Sequence, residues 1–161
     1  GAMPKNPCRI ASNSTITNNG IAPSTGGGIL VQTAVGGSAM VEIIDTMVTN
    51  NSNGIVVQST NGPITMNVQN SAVSQNRGNG IVSTATGNIN IMVDRSNVNT
   101  NFQNGIVSTG INSTVRINNS VLTGNAIALN TNAGGKFLSF KNNAIQGNAT
   151  NSTPVPGVNL D

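Results

Sequence analysis

Asn53-Gly54-Ile55-Val56, Asn79-Gly80-Ile81-Val82 and Asn104-Gly105-Ile106-Val107 are one phrase written three times. The copies stand about 25 residues apart, a period that belongs to stacked repeats rather than to a globular domain. The upstream half of each unit keeps the same phase: Ile43-Ile44-Asp45-Thr46-Met47-Val48, Val68-Gln69-Asn70-Ser71-Ala72-Val73 and Val93-Asp94-Arg95-Ser96-Asn97-Val98. Short runs of Val and Ile between Asn, Gly, Ser and Thr read as brief β-strands joined by polar turns.

Outward from this frame, residues 4–17 form an imperfect first unit, with Ile16 in the place of Val48 and Asn19 in the place of Asn51. Residues 20–27 read as a loop insertion before Gly28-Ile29-Leu30-Val31 resumes the pattern. Regular units begin near Ala39, Ile64 and Ile89, and two shorter ones near Thr114 and Lys136. About three residues are read as lost before Ile127. Residues 150–161 contain Pro154 and Pro156, lack alternation, and read as a C-terminal tail or cap. Residues 1–3 read as a cloning scar, which places the repeat domain at 4–149 and its start inside a longer parent protein.

Only 36% of the chain is hydrophobic and 7% charged, with no Trp or Tyr. So few large side chains would stabilise a compact globule poorly. A disordered chain would carry more charge and no regular apolar pattern. The net charge of +3 comes from basic residues that form no run, and stacking aromatics are scarce, which argues against a nucleic-acid partner. No apolar run is long enough for a transmembrane helix. A lone Cys8 offers neither a disulfide framework nor metal-ligand spacing, and reads as a small packed residue.

Flat coils stacked on one another place equivalent side chains in columns. Four are expected inside: Val41/Met66/Ile91/Val115/Leu138, Ile43/Val68/Val93/Ile117/Phe140, Val48/Val73/Val98/Leu122/Ile145 and Ile29/Ile55/Ile81/Ile106/Ile127. Each buried Val or Ile contributes about 1.5–3 kcal/mol. A fifth column is Asn throughout: Asn19, Asn51, Asn76, Asn101, Asn125 and Asn148. A carboxamide both donates and accepts, so such a column can bond to itself and to the turn backbone. Asn also tolerates the left-handed conformation that a sharp turn needs. About six coils are expected, a rod roughly 25–30 Å long at the interstrand spacing.

Coil length, Val/Ile stacks, the Asn ladder and the Asn-Gly-Ile-Val phrase together resemble the right-handed parallel β-helix proteins of the pectin-lyase-like superfamily. The likeness covers about residues 9–148. It extends to the C-terminal coils of secreted bacterial β-helix proteins of undefined function, in which phrases like Ser113-Thr114-Val115-Arg116-Ile117-Asn118-Asn119-Ser120 are typical. The resemblance implies an all-β, right-handed parallel β-helix with no substantial helix, and a secreted or cell-surface location. Enzymes of the superfamily act on acidic polysaccharides through carboxylate-held calcium with a basic residue, or through clustered aspartates.

This sequence offers only Glu42, Asp45, Asp94 and Asp161, and no His. Neither an oxygen-rich cation site nor two facing carboxyl groups is suggested, so no catalytic residue, metal or cofactor is expected. The expected role is a non-catalytic scaffold or binding module contacting carbohydrate or a protein partner. The alternative is a fragment of a polysaccharide lyase or hydrolase whose catalytic coils lie upstream. Glu42 and Arg116 fall in one outward column, and Asp94 and Lys141 in the next. Arg95, Arg116, Lys136 and Lys141 are candidate contacts for an anionic glycan. Leu30, Val56, Val82 and Val107 follow the inward Ile column, so alternation turns them outward as a candidate self-association ridge, continued by Ala128 and compatible with a homo-oligomer.

Overall fold

The structure, a computed structural model, describes residues 8–20, 26–152 and 155–158. The readings made on residues 1–3, on the Cys8 side chain, on positions 21–25 of the loop and on Asp161 lie outside the described residues. The first coil carries β1 (Cys8–Ser12), β2 (Thr15–Thr17) and β3 (Ile29–Thr33). The second carries β4 (Ala39–Ile44), β5 (Met47–Thr49) and β6 (Ile55–Ser59). The third carries β7 (Ile64–Gln69), β8 (Ala72–Ser74) and β9 (Ile81–Ala85). The fourth carries β10 (Ile89–Asp94), β11 (Asn97–Asn99) and β12 (Asn104–Thr109). The fifth carries β13 (Ser113–Asn118), β14 (Val121–Thr123) and β15 (Ile127–Asn132), after which β16 (Lys136–Ser139) and β17 (Ala144–Ile145) begin another.

Every strand pairs in parallel with its equivalents in the adjoining coils, which gives three sheets. Sheet A runs β1-β4-β7-β10-β13-β16, sheet B β2-β5-β8-β11-β14-β17 and sheet C β3-β6-β9-β12-β15. The protein is an all-β parallel solenoid of about five turns, with no helix among the described residues.

Most of the expected columns stand in register. Val41, Met66, Ile91 and Val115 pair in succession, as do Ile43, Val68, Val93 and Ile117. Ile16, Val48, Val73, Val98, Leu122 and Ile145 form one unbroken column through sheet B. Two columns end differently from the reading. In the last coil Phe137 lies above Val115 and Ser139 above Ile117, in place of Leu138 and Phe140. A one-residue slip turns every side chain over. The alignment that favoured two large apolar residues missed what Ser139 does: its Oγ accepts from Lys141 N–H and Asn143 Nδ2, both at 3.0 Å. In sheet C, Leu129 rather than Ile127 lies above Ile106, and Ile127 lies above Asn104. Between the ladder Asn and this strand the fifth coil is therefore one residue shorter than the fourth, not about three.

Two corners are built alike in coil after coil. Between sheets A and B stands a left-handed residue, Asn13, Asp45, Asn70, Arg95 or Asn119, with φ between 44° and 50°. A hydroxyl residue follows it: Ser14, Thr46, Ser71, Ser96 or Ser120. The Oγ atoms of Ser71, Ser96 and Ser120 each accept the N–H of their equivalent one coil earlier at 3.1 Å. Between sheets B and C the left-handed residues are Asn18, Asn50, Gln75, Thr100, Gly124 and Gly147, each directly before a ladder Asn. The ladder Asn residues do not themselves supply the positive φ, as the sequence reading had it. The residue before each one makes the bend and aims the carboxamide inward.

Along this ladder the Oδ1 of Asn51, Asn76, Asn101, Asn125 and Asn148 accepts two bonds from the coil before, one from the backbone N–H and one from Nδ2. The remaining Nδ2 proton of Asn51, Asn76, Asn101, Asn125 and Asn148 goes to the carbonyl of Ile16, Val48, Val73, Val98 and Leu122 respectively, at 2.9–3.2 Å. A second stack, Asn53-Asn79-Asn104, runs with the opposite polarity, each later Nδ2 donating to the earlier Oδ1. It ends where Ile127 replaces Asn, and Asn104 Oδ1 is left buried without a partner.

The glycine of the repeated phrase is explained by space. A Cβ on Gly54 would stand 2.5 Å from Gly80 O and 2.6 Å from Val73 Cγ1. On Gly80 it would stand 2.5 Å from Gly105 O and 2.8 Å from Asn101 Nδ2. The next coil's ladder thus occupies the place of a side chain.

Two outcomes follow. In urea unfolding, Asn76→Ala and Asn101→Ala should each cost about 1–3 kcal/mol, because partners in two coils lose a bond. Asn148→Ala, at the end of the ladder, should cost less, and three equal losses would contradict the stacked arrangement. Gly80→Ala should cost about 1–3 kcal/mol through overpacking. Gly26→Ala, with nothing within 4 Å of its Cβ, should leave the midpoint unchanged.

Candidate functional site

The interior is closed to ligands along most of its length. Ile43, Ile55, Ile64, Ile81 and Ile89 are fully buried, and so are Ser83, Ser108 and Ser113. These three serines answer one another: Ser113 Oγ lies 2.7 Å from Ser83 Oγ and 2.8 Å from Ser108 Oγ. Their presence inside was readable, since Ser83 and Ser108 stand two residues after the inward Ile81 and Ile106. Among the described residues no acid or base bonds to this cluster, and it serves to satisfy hydroxyls in an otherwise apolar interior.

The outer faces are therefore the surfaces open to a ligand along most of the solenoid. Sheet A presents Met40, Thr65, Asn90, Thr114 and Lys136 as one outward column, and Glu42, Asn67, Met92, Arg116 and Leu138 as its neighbour. Arg116 Nη1 donates to Asn90 Oδ1 at 3.2 Å, which ties the two columns together. Lys136 is exposed one coil beyond Thr114. Arg116 and Lys136 thus share a face.

Arg95 and Lys141 stand elsewhere, at the corner between sheets A and B, both with positive φ. Arg95 forms an ion pair with Asp94 at 3.3 Å. With Arg95 half exposed to solvent, a pair of this kind contributes about 0–1 kcal/mol. Lys141 does not stand over Asp94's column in register: Ser139 lies over Ile117, and Lys141 is two residues beyond Ser139, whereas Asp94's column continues at Asn118, one residue beyond Ile117. Asp94 instead accepts from Asn118 Nδ2 at 2.7 Å. Glu42 and Arg116 do share a column, with Asn67 and Met92 between them.

The ridge expected along Leu30, Val56, Val82 and Val107 is not a continuous exposed surface. Leu30 is 51% exposed, but Val56 and Val107 are only 2% and 7% exposed. The four do pair in register on the outer side of sheet C. Gly27, however, comes close enough to Val56 that a Cβ on it would stand 3.1 Å from Val56 Cγ2. Ala128 does not extend the column either, since Asn130 lies over Val107.

One surface feature escaped the sequence reading. Phe102 is 75% exposed at the corner between sheets B and C, beside a shallow cavity of about 420 Å³ that reaches Thr100, Gly124 and Ala126. The exposed Arg77 holds the equivalent position one coil earlier, each residue directly following a ladder Asn. Their phase was legible, but Arg77 and Phe102 share no chemistry, so no repeated side chain marks the position. Among the described residues, no group of three or more His, Cys, Asp or Glu is arranged to hold a metal ion.

Compared with known proteins, the chain matches no family model, no curated protein and no solved structure.

The burial pattern yields its own test. Val56→Lys should lower the melting midpoint markedly, by about 2 kcal/mol or more of stability, whereas Leu30→Lys should be nearly neutral. Equal tolerance of both would restore the exposed ridge.

Proposed function

We propose that this chain is a non-catalytic scaffold and binding module of a secreted or cell-surface protein, a β-solenoid of the right-handed, pectin-lyase-like kind. Its outer face on sheet A contacts an acidic polysaccharide. The observation that supports this reading is the grouping of Arg116, Asn90, Thr114 and Lys136 on one flat, rigid sheet. The two cations stand on adjoining coils in neighbouring columns, about 4.8 Å apart along the axis, with the neutral hydrogen-bonding groups of Asn90 and Thr114 beside them. A guanidinium pairs with a carboxylate through two parallel bonds, and an ammonium adds a point charge. Hydroxyl and carboxamide groups between them suit sugar hydroxyls. The strands beneath pair in parallel from β7 through β16, so the array is in place before a ligand arrives, which reduces the entropy lost on binding. Arg95 and Lys141 flank this array at the adjoining corner and extend the positive field.

Affinity electrophoresis against polygalacturonate and a neutral glucan tests the proposal. The parent chain should be retarded by the acidic polymer only, and the effect should weaken as salt rises. Arg116→Ala with Lys136→Ala should weaken retention at least about tenfold, equivalent to about 1.4 kcal/mol. Phe102→Ala, at a different corner, should leave it unchanged. Retention that is equal in the parent and the double variant would overturn the assignment of this face.

A further inference from the structure

The two ends of the solenoid are finished differently. At the C-terminal end, residues of the tail take the bonds that another coil would make. Asn151 Oδ1 accepts from Asn148 N–H at 3.2 Å and from its Nδ2 at 3.1 Å, as each ladder Asn does for the one before it. Thr150 O accepts from Ala128 N–H at 2.8 Å, and Pro156 O from Ser139 N–H at 2.8 Å. Val158 N–H donates to Ser139 O at 2.9 Å. The bridges Ile127–Thr150 and Ser139–Gly157 are both parallel, like the pairings between coils. Val155 packs against the core.

At the N-terminal end the same columns begin with no such substitute among the described residues. Asn19 donates its N–H and Nδ2 to Asn51, at 2.9 and 3.1 Å, while its own Oδ1 accepts nothing among the described residues. A cavity of about 250 Å³ lies in this first coil, lined by Ala11, Ile16, Ile29, Val31, Val41 and Ile43. Ile16 begins the column that ends in Ile145, Ile29 begins the one that ends in Leu129, and Ala11 begins the one that ends in Ser139.

We infer that the tail is an intramolecular plug on a head-to-tail docking surface, and that the other occupant of this surface is the first coil of a second copy of the chain. The polarity of the ladder carries the assignment. One end of the stack offers two donors, on Asn148, and the other offers an acceptor on Asn19 that is unpaired among the described residues. Translation of one copy along the solenoid axis brings Asn19 Oδ1 to the place of Asn151 Oδ1, Ile16 over Ile145 and Ile29 over Leu129. Parallel sheets then continue from one copy into the next. A contact between two different surfaces related by translation does not close, so its product is a filament. The open strand edges that drive such pairing are those the tail now covers.

The experiment uses the full chain with the plug loosened, Asn151→Ala with Val155→Lys, examined by light scattering and negative-stain microscopy. The parent should be monomeric. The double variant should form unbranched filaments one solenoid wide, and an excess of parent chain should shorten them, because it offers a first coil but a plugged last one. Adding Asn19→Lys, which keeps a donor toward Asn51 but supplies no acceptor, should restore the monomer. A double variant that keeps the parent's circular dichroism yet stays monomeric would overturn the inference. Aggregates indifferent to both Asn19→Lys and added parent would overturn it equally. If the double variant loses its β-sheet signal, Asn151→Ala alone is read by the same criteria, with shorter filaments expected.

Discussion

A chain that turns sharply three times in each coil must bury polar backbone at its corners, and buried N–H and C=O groups need partners. In this solenoid the partners at two corners come from the neighbouring coil. At the corner between sheets B and C, one carboxamide oxygen takes both the N–H and the Nδ2 of the residue beneath it, and its own amide reaches the adjoining strand. At the corner between sheets A and B, a smaller group does part of the same work: the hydroxyl accepts the N–H of the coil before and donates to a carbonyl two residues back in its own chain. Neither corner is satisfied within a single coil. Axial register therefore follows from hydrogen bonding as well as from apolar packing.

The constraint also shows where the coil length is free to change. Each strand of sheet B holds a fixed place between its two left-handed residues, and both corners keep their geometry through most of the stack. Variation falls beside sheet C instead. The ladder Asn is followed by nine residues before Ile29 in the first coil, and by only a few in the others. The Gly-Ile phrase lies directly after this variable segment. Its glycine is held small by the ladder of the next coil, so the phrase repeats even where the spacing before it does not.

What was legible in the sequence is what repeats with a side-chain signature. The three-fold phrase, the Ile/Val columns and the Asn column gave the solenoid and most of its register, because each is enforced by a like residue above and below. The misreadings lie where the repeat decays. At the last coil, apolar content favoured Leu138 and Phe140 inside, but a hydroxyl was wanted at Ser139 and the large Phe137 fills the space over Val115. The hydroxyl ladder through Thr46, Ser71, Ser96 and Ser120 was in phase in the sequence as well. Among so many Ser and Thr it had no contrast. The exposure of Val56 could not be read from alternation, since alternation reports which side of the sheet a residue is on and not what lies over that side. The candidate binding face was legible only as four separated cations; that Arg116 and Lys136 share sheet A while Arg95 and Lys141 stand at a corner required the register.

Amide hydrogen exchange, read residue by residue in the parent and in Asn76→Ala, tests the central claim most directly. The N–H of Asn51 has Asn76 Oδ1 as its acceptor, whereas the N–H of Asn101 is bonded to Asn125 and is untouched by the change. In the parent, both amides should exchange as slowly as the core strands. In the variant, the Asn51 amide should speed up by at least about tenfold relative to that of Asn101, in keeping with the loss of one buried hydrogen bond. If both amides respond alike, or if neither is protected in the parent, the coils are not joined through their carboxamides.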